Sequence, residues 1–284
     1  SFKKKWLEGS WVSIVKLKND IIYAGTINLG VYVSTDKGEN WVQRNNGLTD
    51  SIISTLTITE NYIFAGGTSS YQGVYRSSDN GKSWEPKSNG IKDSSNIMKM
   101  SSNDNFIFAA TNPEGIYKSS DYGESWVKKH SNLPKETSFT DIISFKNYIM
   151  TATIFPTGLF LSTDNGESWK EISSGLPLTT DRYVSSIEIY DGHIFVGMRN
   201  KINIPFNSVG VYYSSDQGNS WKHLGLQDKD IYSVCSNNRY IFASTRIHGI
   251  FRSELDNIIT DKVDRDQVSS NTNIKIKKLK NEIR

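Results

Sequence analysis

Ser77-Ser-Asp-Asn-Gly-Lys-Ser-Trp84 is one of five copies of a single octapeptide, Ser-(Ser/Thr)-Asp-x-Gly-x-(Ser/Asn)-Trp. The other copies are Ser34–Trp41, Ser119–Trp126, Ser162–Trp169 and Ser214–Trp221. Their aspartates, Asp36, Asp79, Asp121, Asp164 and Asp216, are spaced by 43, 42, 43 and 52 residues. Five matches at five fixed positions exclude chance, and a period of this length marks a repeat architecture.

The repeat extends upstream of the box. A glycine lies six residues before each aspartate (Gly30, Gly73, Gly115, Gly158 and Gly210) and opens a short apolar run such as Gly158-Leu-Phe-Leu161. Before it comes an aromatic-rich run such as Tyr62-Ile-Phe-Ala-Gly66, and before that an alternating run such as Ile53-Ser-Thr-Leu-Thr-Ile58. A sixth copy opens at Gly249, but its box has decayed: Leu255, Asn257 and Thr260 stand where Asp, Gly and Trp are due. These runs read as strands A, B and C. Strand D starts at the box Trp and ends at a turn such as Asn46-Gly47-Leu48. Short β-rich runs bounded by Gly, Asn, Asp and Ser are strand and hairpin signals, and no repeat carries the 3.6-residue period of a helix. The expectation is an all-β, six-bladed β-propeller of four-stranded antiparallel blades. A solenoid would need caps at both ends. Here the sixth repeat lacks strand D, and Phe2-Lys-Lys-Lys-Trp-Leu-Glu-Gly9 resembles a strand D displaced from its repeat. Residues 1–256 are therefore read as the propeller, with six repeats over 11–253. Residues 2–9 are expected to close the last blade and remove a sheet edge. Residues 257–284 are read as a polar tail or a linker to a further domain.

Composition excludes several function classes. The 284 residues hold 33 Lys+Arg against 30 Asp+Glu, a net charge of +3. That balance argues against a dedicated nucleic-acid binder. One cysteine, Cys235, permits no internal disulfide, and there is no Cys/His cluster for zinc. Its place in strand A of the sixth repeat suggests a small buried side chain. No apolar run approaches the length of a membrane span. The 12% aromatic content does not suit a disordered chain. The first residue is Ser1 and no apolar signal segment follows, which reads as a processed or trimmed chain.

The boxes have a structural reading. An Asp at a turn accepts backbone N–H groups, the Gly suits positive φ, and the Trp buries a large ring against its own or the next blade. Each box holds one or two acids, too few for a calcium loop. No metal or cofactor is expected. The boxes, with Asp36/Trp41, Asp79/Trp84, Asp121/Trp126, Asp164/Trp169 and Asp216/Trp221 as fold-defining pairs, resemble the Asp-box (BNR) repeat. Propellers of that kind include sialidases, sortilin-type receptors, xyloglucanases and photosystem II assembly factors. The resemblance covers residues 11 to about 253. It implies boxes on the C–D hairpins, opposite the usual binding face, and leaves function open, because one fold serves many activities.

With the C–D and A–B hairpins on one face, the B–C and D–A connections form the other. The longest B–C loop, residues 198–209, accounts for most of the 52-residue spacing. It carries Arg199, Lys201 and Phe206. The next B–C loop adds Arg246 and His248, and the preceding D–A loop adds Asp181, Arg182 and Tyr183. This cationic, partly aromatic sector suits a carboxylate-bearing partner held by Arg forks. The bland reading is a tolerated insertion with solvated charges. Strand A is expected to line the channel, with Val15, Leu56, Met100, Ile142, Ile187 and Val234 as a core row. Lys16, Lys99, Asp141 and Glu188 stand out beside that row as charges in a watery channel or an ion pair.

Asp141 and Glu188 could also form a glycosidase carboxylate pair. Against this, the Arg-Ile-Pro segment and the spread Arg triad of a sialidase are missing, and His130, His193, His223 and His248 are scattered. No catalytic residue is assigned. The commitment is a non-enzymatic binding or scaffolding propeller that presents a loop face to a protein or glycan partner. Following the resemblance, it is expected to be secreted, periplasmic or on a cell surface. The rival is a glycan-active hydrolase. The tail, ending Asn273-Ile-Lys-Ile-Lys-Lys-Leu-Lys280, is read as solvated, and no nucleic-acid partner is expected.

Overall fold

The computed structural model describes residues 11–68, 73–93, 95–129, 131–135, 137–201, 209–246 and 248–259. The expected closing strand 2–9, Phe206 and the tail beyond 259 lie outside the described residues. The chain is an all-β, six-bladed propeller. Among the described residues, five sheets have four strands in the order A-B-C-D, and the sixth has three. Blade 2 is typical: Ile53–Ile58, Ile63–Gly67, Val74–Ser77 and the two-residue strand Glu85–Pro86. Blade 6 consists of Ile231–Ser236, Tyr240–Thr245 and Ile250–Glu254, followed by a 3-10 turn at Leu255–Asn257. Helix is otherwise absent from the described residues.

Each box is a closed hydrogen-bond unit. The leading serine (Ser34, Ser77, Ser119, Ser162 or Ser214) donates to Oδ1 of its Asp at 2.7–2.9 Å and accepts the Gly N–H at 2.8 Å. The same Oδ1 accepts the N–H four residues on, at 2.8–3.0 Å. Two consecutive residues take the left-handed region, as at Asn80 (φ 59°) and Gly81 (φ 80°). The turn thus needs the left-handed region at the residue before the glycine as well as at the glycine itself. Partial burial pushes the Asp79 and Asp164 carboxyls up. The serine hydroxyls and backbone N–H groups outweigh that and bring both down to about 2. Asp36, Asp121 and Asp216 are lowered too. A carboxyl lowered by folding stabilises the fold above its ordinary value of 3.8 and loses that contribution as it protonates. The melting temperature should therefore fall as pH drops from about 4 toward 2, and Asp164→Asn should flatten the fall. A melting curve set that stays level over this range would contradict the assignment.

The box tryptophans from Trp84 onward join blades: Trp84, Trp126 and Trp169 pack on their own blade, as expected, and on the preceding blade rather than the next. The indole N–H of Trp84 donates to the Arg44 carbonyl at 3.0 Å, that of Trp126 to Lys87 at 2.8 Å, and that of Trp221 to Ile172 at 3.0 Å. Trp41 follows no described blade and bonds within its own box, to the Gly38 carbonyl at 3.2 Å. The bulged residue of strand A links forward as well. The hydroxyls of Ser13, Ser54, Thr140 and Ser185 donate to the carbonyls of Ile53, Ile97, Val184 and Ile231 in the next blade.

Consecutive strands A pack together from blade 1 through blade 6, whereas those of blades 6 and 1 make no comparable contact. Burial reports the same break. Ile53, Ile97, Val184 and Ile231 are 0% exposed and Phe139 is 2%, but the equivalent Val12 of blade 1 is 45% exposed. Val15, expected in the core, is 55% exposed, while its equivalent Leu56 is fully buried. Cys235, also expected to be buried, is exposed. Val15 stands at the break between blades 1 and 6, whereas the exposed Cys235 lies beside Glu188, and partial burial and that carboxylate push its thiol up.

Candidate functional site

Strand A of each blade turns polar side chains toward the next blade. Thr55 Oγ1 accepts the Met100 N–H at 3.0 Å, and Ser186 Oγ accepts the Val234 N–H at 3.1 Å. Asp141 occupies the same row. Its Oδ2 accepts the Ile187 N–H at 2.8 Å and its Oδ1 the Ile142 N–H at 3.0 Å. Two residues on, Ser101 Oγ accepts the Ser144 N–H at 2.9 Å. Glu188 Oε1 accepts the Ser236 N–H at 2.9 Å together with the Ser236 hydroxyl. The two channel carboxylates thus replace hydroxyls in a blade-to-blade staple. Burial pushes both carboxyls up. Lys99 opposes this at Asp141, and the Ser236 hydrogen bonds oppose it at Glu188. Burial pushes the Lys16 ammonium down, against the attraction of Asp141 and with the repulsion of Lys99. The four charges therefore share the channel, but no direct ion pair joins them.

The loop-face residues fall into two groups. Arg199 lies on strand B of blade 5 (His193–Asn200), not in the loop that follows. Its guanidinium carbon sits 4.1 Å from the centre of the Tyr232 ring and 5.8 Å from that of Tyr183. One Nη donates to the Tyr232 hydroxyl at 3.1 Å, and the buried Nε has no hydrogen-bond partner. Burial pushes the Tyr183 phenol up, and Arg199 opposes it. Asp230 anchors the group from the D–A loop between blades 5 and 6 by accepting the Asn200 N–H at 3.0 Å and its side-chain amide at 3.3 Å. Its carbonyl accepts the Arg246 N–H at 3.3 Å, which brings Arg246 to the same place. Tyr183 is among the sequence-derived residues of this sector; Tyr232 and Asp230 are not. The bulge position of strand A, where Tyr232 replaces Ser or Thr, was the available signal.

Lys201 belongs to a second group. Its ammonium lies 3.8 Å from the centre of the Phe155 ring, and its N–H donates to the Asp181 carbonyl at 2.8 Å. With Ile154, Leu178 and Asp181 they line a surface cleft of about 510 Å³ between blades 4 and 5. Arg182 begins strand A of blade 5 opposite Asn200 and opposes the burial that raises the Tyr212 phenol. His248 is exposed, with its N–H on Thr245 Oγ1 at 3.1 Å. Asp141 and Glu188 do not join either group.

Six cations of blades 2 and 3 and their connections behave differently. Arg76 and Lys87 pair with Glu85 and Glu124, Lys118 and Lys129 with Glu167, and Lys92 and Lys128 with Glu114. Arg182, Arg199, Lys201 and Arg246 make no ion pair with a described residue.

Residues 72–176 match the family model described as sortilin, neurotensin receptor 3 (Sortilin-Vps10). A search of the curated proteins finds no significant match. Among solved structures, an ancestral GH74 enzyme superposes with a TM-score of 0.70 at 17% identity over 86% of this chain and 36% of that one. YCF48 bound to D1 peptide gives 0.52 at 13% identity over 70% of this chain and 64% of that one. The extracellular domain of the putative one component system BT4673 from B. thetaiotaomicron gives 0.55 at 15%, over 87% and 38%. This chain thus spans about a third of the length of the GH74 enzyme. At such identities the likeness concerns the fold. The octapeptide, the blades it closes and these likenesses agree that the chain is a β-propeller built of Asp-box repeats.

Proposed function

We propose that the chain is a non-enzymatic binding or scaffolding propeller whose B–C/D–A face takes a carboxylate-bearing segment of a protein or glycan partner. The observation that carries this is the division of the cations. Six cations of blades 2 and 3 are held by glutamates, Arg76, Lys87, Lys118 and Lys129 among them across a blade joint, whereas Arg182, Arg199, Lys201 and Arg246 lie on the B–C/D–A side of blades 5 and 6 without an ion-pair partner among the described residues. Arg199, flanked by Tyr183 and Tyr232, presents a planar donor set suited to a carboxylate. The likeness to YCF48 bound to D1 peptide supports a peptide-type partner, and the likeness to an extracellular domain supports a secreted, periplasmic or cell-surface location. The hydrolase reading is disfavoured because Asp141 and Glu188 already hold backbone N–H groups of the next blade.

The test is a screen of acidic peptides together with a glycan array. Binders should carry carboxylates and weaken with added salt. Arg199→Ala should weaken the best of them at least about tenfold, the range for a hydrogen bond to a charged group, and Arg246→Ala should weaken it less. Binders without acidic groups, or affinity indifferent to both substitutions, would overturn the reading.

A further inference from the structure

From blade 2 onward a ring stands at the start of strand B: Tyr62, Phe106, Tyr148, His193 and Tyr240. In four of these blades a side chain of strand C covers it. Arg76 lies 4.6 Å from the centre of the Tyr62 ring, Lys118 4.1 Å from that of Phe106 and Arg252 4.7 Å from that of Tyr240, while Tyr213 stacks on His193 at 5.6 Å. Tyr62 has a second cover, Tyr122 from the box of blade 3, at 5.4 Å. The box of the next blade holds two of the covering cations: Arg76 pairs with Glu124 at 2.8 Å and Lys118 with Glu167 at 2.9 Å. Blade 4 departs at each of these positions. The strand register puts Leu161 where Arg76 and Lys118 stand. The following box has Asn219 in place of the glutamate and Gln217 in place of Tyr122. Among the described residues, Tyr148 has no ring or cation against it and its hydroxyl has no hydrogen bond.

The uncovered ring lines a cleft of about 620 Å³ on the box side of blades 4 and 5, together with Leu161, Met150 and Ile189. That volume is within the roughly 300–1,000 Å³ of small-molecule sites. Three charged residues line the same cleft, Asp104, Lys146 and Asp191, and all three are exposed. The Lys146 ammonium lies 5.3 Å from the centre of the Phe145 ring, and neither carboxylate is in an ion pair with a described residue. The cleft thus keeps the ring of the repeated pattern, adds an excess of acid and lacks the cation. We propose that it binds a small organic cation, a guanidinium or ammonium on an alkyl stem, in the place that Arg76 and Lys118 fill in blades 2 and 3. The charge lies against the Tyr148 ring, an attraction that strengthens as water is excluded. Asp104 and Asp191 draw it in, and the stem rests on Leu161 and Ile189.

The probe is n-butylguanidinium chloride, titrated into the full chain by ligand-observed NMR. Saturable binding is expected, and N-butylurea, its neutral isostere, should bind at least about tenfold more weakly. Leu161→Lys combined with Asn219→Glu rebuilds the pair that Lys118 and Glu167 make one blade earlier, and should weaken the probe at least about tenfold by supplying the cation from within. Gln217→Tyr should do the same with a ring. Gln217 is exposed and shares the left-handed backbone of Tyr122 (φ 58° and 55°), so this variant keeps the fold, and its melting curve verifies that. No saturable binding, equal binding of the urea, or an affinity that neither variant changes would overturn the proposal. So would a preference of about tenfold for the peptide Gly-Gly-Arg-Gly-Gly over the probe, because that would make the occupant a protein segment.

Discussion

Trp126→Ala should lower the melting temperature by roughly 10 °C, one of the two largest effects expected of a single side chain in this fold. Trp126 is 3% exposed. It packs among Phe64 and Val74 of blade 2 and Ile97, Met100, Ile107, Ala109 and Tyr117 of blade 3. Its indole N–H donates to the Lys87 carbonyl at 2.8 Å, and its backbone N–H to the Asn89 carbonyl at 2.9 Å. Truncation removes a buried ring from the joint between two blades, a change that costs about 3–5 kcal/mol. In a domain of this size each kcal/mol moves the melting temperature by roughly 2–4 °C. Trp126→Phe keeps most of the packing and loses only the indole hydrogen bond, so about 1 kcal/mol should go. Calorimetry of the two variants separates packing from hydrogen bonding. Equal losses would show that the ring's burial is not the main contribution.

Gly47→Ala should be comparably damaging, for a different reason. Gly47 has φ +85°, and a Cβ there would lie 2.0 Å from the Trp84 carbonyl oxygen of the next blade. The left-handed backbone alone costs a non-glycine residue about 1–2 kcal/mol. The overlap with a backbone atom adds to it, because the two blades must move apart. Gly192 supplies the control: its φ is +77° and nothing lies within 4 Å of the added Cβ. In urea unfolding, Gly192→Ala should lose only the conformational part, about 1 kcal/mol, and Gly47→Ala at least about 3 kcal/mol. Equal losses would mean that contact with the next blade does not matter at Gly47.

The fold was legible because the octapeptide carries its own geometry. Ser and Asp make the turn's hydrogen bonds, Gly takes its positive φ and Trp fills the joint beside it, so five copies announce five blades. Strand A was legible as alternation, but not the state of its first copy. Val15 looks like Leu56 in the sequence, yet it is 55% exposed, because no described strand A packs on that side of blade 1. The site was legible in part. Arg182, Arg199, Lys201, Arg246 and His248 could be picked out as cations and a histidine on predicted loops. That Tyr183 and Tyr232 flank Arg199 follows from blade curvature, which no local pattern encodes. Asp141 and Glu188 looked like chemistry. They serve as staples because the adjacent strand offers N–H groups at a register set by the bulge.

The joints between blades have a polarity. The bulge hydroxyls of Ser13, Ser54, Thr140 and Ser185 reach forward along the chain, and the indoles of Trp84, Trp126 and Trp221 reach back. Each repeat therefore finishes the one synthesised before it and leaves its own far side open until the next emerges. Such an array can grow vectorially from its N-terminus, with each arriving tryptophan sealing the core already in place. Whole repeats can be gained or lost without redesigning the remainder, because each joint involves only two neighbours.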